Sequence, residues 1–157
     1  MMEEKTVRQS HVVTTQLVLP NDTNQLGNLL GGTLMHWIDI AAAISCQRHS
    51  DRVCVTASVD ELIFHQPIRL GEIVTLQASV NRVFRSSMEV GVLVTAQGSG
   101  AKPSRRANTA YLTFVALDEE GNPVPVPAIH PESDVEQKRF AEALVRRKRR
   151  LDHRRQE

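Results

Sequence analysis

Aromatic residues are scarce in this chain: one Trp, one Tyr and four Phe among 157 residues. None interrupts the arginine-rich stretch near its end, so the stacking platform of a single-stranded nucleic-acid module is missing there. Apolar runs of membrane-spanning length are also missing, and residues 1–10 lack the apolar stretch of a signal peptide. A cytoplasmic protein with neither nucleic acid nor membrane as partner is the expectation. Cysteine occurs only at Cys46 and Cys54, one expected on a helix and one on a strand, which reads as two free buried thiols. No His/Cys grouping has metal-ligand spacing, so no metal is expected.

What is present fits one globular domain with a real core: 41% hydrophobic and 24% charged residues. The net charge of +1 hides an asymmetry. Residues 1–131 carry 10 Lys and Arg against 12 Asp and Glu, whereas residues 132–157 carry 9 against 6. A basic run of this kind reads first as a solvated helix face.

Residues 11–19 alternate apolar and Thr/Gln positions and predict a first strand. Residues 33–47 place Leu34, Trp37, Ile38, Ala41, Ile44 and Ser45 at spacings of three and four, predicting a helix buried on most sides. From Val53 the period changes to two, over 53–60, 74–80, 88–97 and 110–116, which predicts long antiparallel strands with one dry face each. Pro123, Pro125, Pro127 and Pro131 then hold the chain extended. Ser133-Asp134-Val135-Glu136 has the form of a capping box, so a second helix should start there, with a thin apolar stripe that docks only through its first half. The organisation expected is a polar segment over 1–11, a folded domain over 12–122, a Pro-rich connector over 123–131 and a basic helix over 132–157. A sheet of about five strands around one helix leaves an edge exposed, so pairing with a second copy is expected.

Chemistry concentrates in residues 20–39, where a polar turn and Gly31-Gly32 precede an apolar helix carrying one carboxylate, Asp39. Glycines at a helix amino end allow close approach to the free N–H groups there, whose natural guest is an anion or a polarised carbonyl. Asp39 lies two turns further on, about 10 Å along the axis.

Three segments together carry a family resemblance: Pro20-Asn21-Asp22-Thr23-Asn24-Gln25-Leu26-Gly27 with Gly31-Gly32 and Asp39, Phe64-His65-Gln66-Pro67-Ile68-Arg69-Leu70-Gly71, and Val83-Phe84-Arg85-Ser86-Ser87-Met88. Over residues 12–118 the chain resembles the hotdog-fold acyl-CoA thioester hydrolases of the cytosolic acyl-CoA hydrolase type. It departs from the family pattern at Leu30 and Ile38, both still apolar. The resemblance implies an α+β hotdog fold, a long central helix wrapped by an antiparallel sheet of about five strands, with the C-terminal helix added. It implies hydrolysis of acyl-CoA to fatty acid and coenzyme A, with no separate cofactor, since coenzyme A is part of substrate and product.

By the same resemblance Asp39 acts as general base on water or as nucleophile, Asn24 of the other subunit orients the water, and the Gly31 and Gly32 N–H groups bind the thioester oxygen. Arg85, Ser86 and Ser87 would meet the nucleotide of coenzyme A, and dimers would assemble into trimers of dimers. Two other readings stand beside it: a non-catalytic acyl-CoA-binding regulator, and a hotdog hydratase or dehydratase using His36, three residues before Asp39.

Overall fold

The computed structural model describes residues 2–157. Its first elements are β1 (Lys5–Thr6), a 3-10 turn (Val7–Ser10) and β2 (Val12–Leu17). The long helix α1 (Gly31–Ser50) comes next, then β3 (Val53–Val59), β4 (Ile73–Phe84), β5 (Ser87–Gln97) and β6 (Arg105–Leu117). β7 (Ile129–His130) pairs with β1, and α2 (Asp134–Gln156) ends the chain. Five strands form one antiparallel sheet in the order β2-β4-β5-β6-β3, the sheet of a hotdog fold.

The alternation read from the sequence decides which side of the sheet meets α1. Val74, Leu76, Ala78 and Val80 of β4 and Ala110, Leu112, Phe114 and Ala116 of β6 point to one side and are buried with Leu34, Ile38, Ala41 and Ala42 of α1. The small alanines let helix and sheet approach closely, and burial of this apolar area is the main driving force of the fold. α1 begins two residues before the expected start and ends three after the expected end, at Asp51 in the left-handed region with φ 55°. It is buried along one stripe rather than on most sides: His36, Ile40 and Gln47 are exposed in the single chain. Cys46 and Cys54 are both free and buried, as expected.

Three expectations need correction. β3 does not turn its valines inward: Val53 and Val55 pair with Leu117 and Val115 on the outer face, and Val53 is 64% exposed. Cys54 and Thr56 pair with Ala116 and Phe114 and face α1, until an irregularity between Thr56 and Ser58 changes the phase and brings Val59 opposite Leu112. The sheet is also not covered on a single side. α2 packs on the outer face through charge as well as apolar contact, and the contact reaches beyond its first half. Finally, residues 1–11 are not merely a polar lead: Val7 and Ser10 are buried, and the Ser10 hydroxyl accepts from Val80 N–H at 2.9 Å.

β2 and β3 are the two edges of the sheet. An unpaired edge carrying Val53 and Val55 is a template for a second strand.

Candidate active site

The loop between β2 and α1 is shaped by its own polar side chains. Asn24 Oδ1 accepts from Leu26 N–H at 2.9 Å and from Asn28 N–H at 3.2 Å, an Asx turn completed by Gly27 with φ 76°. That arrangement engages the acceptor end of the amide and leaves Nδ2 without a partner among the described residues. Asn24 therefore presents a donor.

Helix α1 opens on Gly31 with Leu30 at the N-cap, and no side chain caps it. Its first N–H groups have no partner within the helix. A Cβ on Gly31 would stand 3.4 Å from Cε2 of Phe64, so the ring lies against the backbone there; a Cβ on Gly32 would meet nothing within 4 Å. Asn24 and Gly31 share a cleft of about 430 Å³ with Leu34, Phe64 and Ile68. The loop over this cleft is pinned from β6: Asn108 Nδ2 donates to Ile63 O at 2.7 Å, and Arg105 donates to Pro67 O at 3.0 Å while pairing with Glu72. The Arg105 guanidinium holds the Glu72 carboxyl below the usual carboxylate range.

Asp39 does not line that cleft. It is half-buried on α1 beside the open β3 edge, where the Thr56 hydroxyl donates to its Oδ1 at 2.6 Å. One carboxylate oxygen is thus fixed and the other is left for a further partner. His36 is exposed and is not that partner. Thr56 was not singled out in the sequence, because on an alternating strand it looks like any other threonine; only the approach of β3 to α1 marks it.

Ser86 and Ser87 line a second cleft, about 930 Å³, on the outer face of the sheet, together with arginines of α2. Arg85 is not among its lining residues. It is exposed at the β4–β5 hairpin tip with φ 65°, its carbonyl accepting from Val126 N–H at 2.8 Å. A positive φ on a residue other than glycine costs on the order of 1 kcal/mol or more, and such strain collects at functional positions.

Residues 26–101 match the profile of the Thioesterase superfamily. The chain is 45% identical over 134 residues to an uncharacterised acyl-CoA thioester hydrolase of Bacillus subtilis, covering 85% of this chain and 78% of that one. The chain belongs to the thioesterase superfamily, among its hotdog-fold acyl-CoA thioester hydrolases. This thioester hydrolase is also 38% identical over 146 residues to the human cytosolic acyl coenzyme A thioester hydrolase, covering 92% of this chain but only 38% of that longer one.

Among solved structures, the acyl-CoA hydrolase of Staphylococcus aureus, in complex with butyryl coenzyme A, coenzyme A and coenzyme A disulfide, superposes with TM-score 0.92 at 39% identity over 98% of this chain and 94% of that one. The same Staphylococcus hydrolase has been solved as three alanine variants: of an aspartate, of an asparagine 15 residues before it, and of a threonine 17 residues after it. A hexameric acyl-CoA thioesterase matches with TM-score 0.93 at 34% identity over 97% of both chains.

Proposed function

We propose that the chain hydrolyses acyl-CoA thioesters to a free acid and coenzyme A, at a site completed by a second copy of itself. The observation that carries this reading is the separation of two half-sites. The Asn24–Gly31 cleft holds a donor and an uncapped helix end, while the Asp39–Thr56 pair, with Thr56 donating at 2.6 Å, lies at the open β3 edge. Pairing of β3 with its own copy would join the sheets and bring one half-site of each chain to the other. Asn24, Asp39 and Thr56 have the same spacings, 15 and 17 residues, as the asparagine, aspartate and threonine changed in the Staphylococcus hydrolase.

In this reading the free oxygen of Asp39 takes a proton from a water as that water attacks the thioester carbonyl carbon. The Thr56 hydroxyl fixes the carboxylate's orientation. The negative charge that develops on the carbonyl oxygen is met by the Gly31 and Gly32 N–H groups of the other subunit, in the same half-site as its Asn24, each donor worth about 3 kcal/mol in comparable sites. Asn24 Nδ2 of the other subunit donates to the attacking water or to the carbonyl oxygen. The carbon–sulfur bond then breaks, and the departing thiolate of coenzyme A takes up the proton. Arg85, Ser86 and Ser87 are assigned to the nucleotide end of the substrate. No residue here asks for a metal or separate cofactor. The dimer is proposed to assemble further into a trimer of dimers, and a cytosolic location is proposed beside the absence, among the described residues, of any helix long and apolar enough to cross a membrane.

Thiol release from acetyl-, butyryl-, hexanoyl-, lauroyl- and palmitoyl-CoA tests the reaction. Asp39→Ala and Asn24→Ala should each lower kcat by two or more orders of magnitude in folded protein. Mixing the two inactive variants should restore about a quarter of the wild-type rate, because half of randomly assorted dimers carry one intact site of two. No recovery in verified mixed dimers would refute the shared site and leave the reaction standing.

A further inference from the structure

Helix α1 and strand β3 meet at two levels. Asp39, Cys46 and Ser50 follow one another at spacings of seven and four, so they share one stripe of the helix. Cys54 and Thr56 lie two apart on β3 and both face that helix. At one level the Thr56 hydroxyl donates to the Asp39 carboxylate at 2.6 Å. At the other stand Cys46, Ser50 and Cys54, three side chains that the hydrolytic reaction does not use.

These are the two cysteines of the sequence, and the fold has brought them to one place. Ser50 Oγ lies 3.2 Å from Cys54 Sγ and 2.8 Å from Cys46 O, so a single hydroxyl touches both residues. Cys54 Sγ also lies 3.5 Å from Arg52 O. The Cys46 thiol faces the Cys54 sulfur closely enough to change its acidity.

The two thiols are not equivalent. Cys54 keeps 9% of its surface, whereas Cys46 keeps none. A hydrogen bond from Cys46 lowers the Cys54 pKa to about 7, against burial and with help from Ser50. Burial, followed by Cys54, pushes the Cys46 thiol well up. Near neutral pH about half of Cys54 is therefore thiolate, the nucleophilic form, while Cys46 keeps its proton. An accessible thiolate backed by a protonated second thiol is the arrangement of an attacking sulfur and a resolving one.

We propose that Cys54 and Cys46 form a reversible oxidation site, at which a hydroperoxide converts the pair to a disulfide that disturbs the neighbouring Asp39 and Thr56. The Cys54 thiolate attacks the peroxide O–O bond; sulfur is oxidised to a sulfenic acid and the peroxide is reduced, leaving as hydroxide. Cys46 sulfur then attacks Cys54 sulfur, the S–O bond breaks, and the departing hydroxide leaves as water with the Cys46 proton. Bonded sulfurs stand about 2 Å apart, so β3 and α1 must draw together at this level. Thr56 is two residues from Cys54 on the same face of β3, and a displacement on the order of 1 Å is enough to misplace a catalytic carboxylate. The effect on turnover rests on the thioester-hydrolase reading, whereas formation of the disulfide does not.

Hydrogen peroxide added to the assembled wild type should join Cys46 to Cys54, read in peptide masses as the loss of two hydrogens, and lower kcat about tenfold. Dithiothreitol should reverse both. The rate is followed as loss of thioester absorbance, because thiol reagents would also read the cysteines and the reductant. Cys54→Ser should keep the untreated rate and resist the oxidant, which separates the pair from methionine oxidation elsewhere. Cys54→Ala repeats that test where the serine variant fails to fold. Cys46→Ser should form no disulfide and stop at a sulfenic acid on Cys54, trapped by dimedone. Two free thiols in wild type at a dose that fully oxidises free glutathione overturn the proposal, and dimedone on Cys46 in Cys54→Ser overturns the assigned roles. A disulfide that leaves kcat unchanged beside an active reduced enzyme overturns the link to Asp39. A disulfide that forms and reverses in a protein that hydrolyses no acyl-CoA overturns the thioester-hydrolase reading instead.

Discussion

The two helices lie on opposite faces of one sheet and are held by opposite means. α1 buries Leu34, Ile38, Ala41, Ala42 and Cys46 and, among the described residues, makes no ion pair to the sheet. α2 buries only Ala143 and is held by Arg146 and Arg150 on Glu89 and Asp60, and by Phe140 under the Arg82 guanidinium at 3.9 Å. Their amino ends differ in the same sense. α2 starts with a full capping box, Ser133 accepting from Glu136 N–H at 3.1 Å, whereas α1 starts at Gly31 without a side-chain cap. A helix anchored along its length by apolar packing can leave its first N–H groups free for a substrate. A helix anchored by charges is held at discrete pairs instead, so removing one partner leaves the other charge unanswered.

The sharpest way to break the comparison is to remove one anchor of each kind. Ile38→Ala, in the fully buried stripe of α1, should cost about 4 kcal/mol of unfolding free energy, as lost transfer energy plus a cavity. Urea denaturation would read this, and a cost below 1 kcal/mol would mean that α1 is not held as described.

Glu89→Ala should cost about 3 kcal/mol, because it leaves the Arg146 guanidinium largely buried without its carboxylate. The two changes should differ in additivity. Combined with Arg146→Ala, Glu89→Ala should cost clearly less than the sum of the singles, since the second change removes the orphaned charge. Combined with Ile38→Ala, it should add. Strict additivity in the Glu89–Arg146 cycle would refute the charge anchor.

These contrasts also explain what the sequence makes legible. The change of period at Val53, the helix over Leu34 and Ile38 and the capping box at Ser133 are local patterns, and the structure carries all three. The anchoring of α2 is not local. Arg146 and Arg150 meet partners 57 and 90 residues away, and a basic run looks the same in sequence whether water or a buried Glu89 answers it. Glu89 itself sits in an alternating strand at what reads as a wet position. Its neighbourhood is visible only through Gly91, where an added Cβ would stand 2.9 Å from Asn81 Nδ2, the donor to Glu89. Asn24 and Asp39 stood out through the spacing of a motif, but the loss of Asn24's acceptor to its own turn required coordinates. The same holds for β3, whose valines look like core until the register with Leu117 and Val115 turns them outward.

The smallest expected effect comes from the exception on α1, a buried ionisable group on the apolar helix. His49 is fully buried, its Nε2 lies 2.7 Å from Pro127 O, and its Nδ1 is buried with no partner among the described residues. Because a carbonyl can only accept, Nε2 carries the proton and Nδ1 is bare; protonating it would bury an N–H without an acceptor. Burial pushes the His49 pKa below its ordinary value, against the raising effect of the Pro127 carbonyl and of Asp51, and with Lys5 lowering it further. Between that depressed value and about 6.5, the unfolded chain holds more protons than the folded one, so stability rises with pH across this window. The contribution is fully present above about 6.5 and is lost as pH falls through the folded pKa. His49→Gln offers an amide in place of the imidazole and titrates nothing, so its urea midpoint should fall less than that of wild type between pH 7.5 and 5.5. Identical pH dependence in the two proteins would show that His49 is not a buried neutral imidazole.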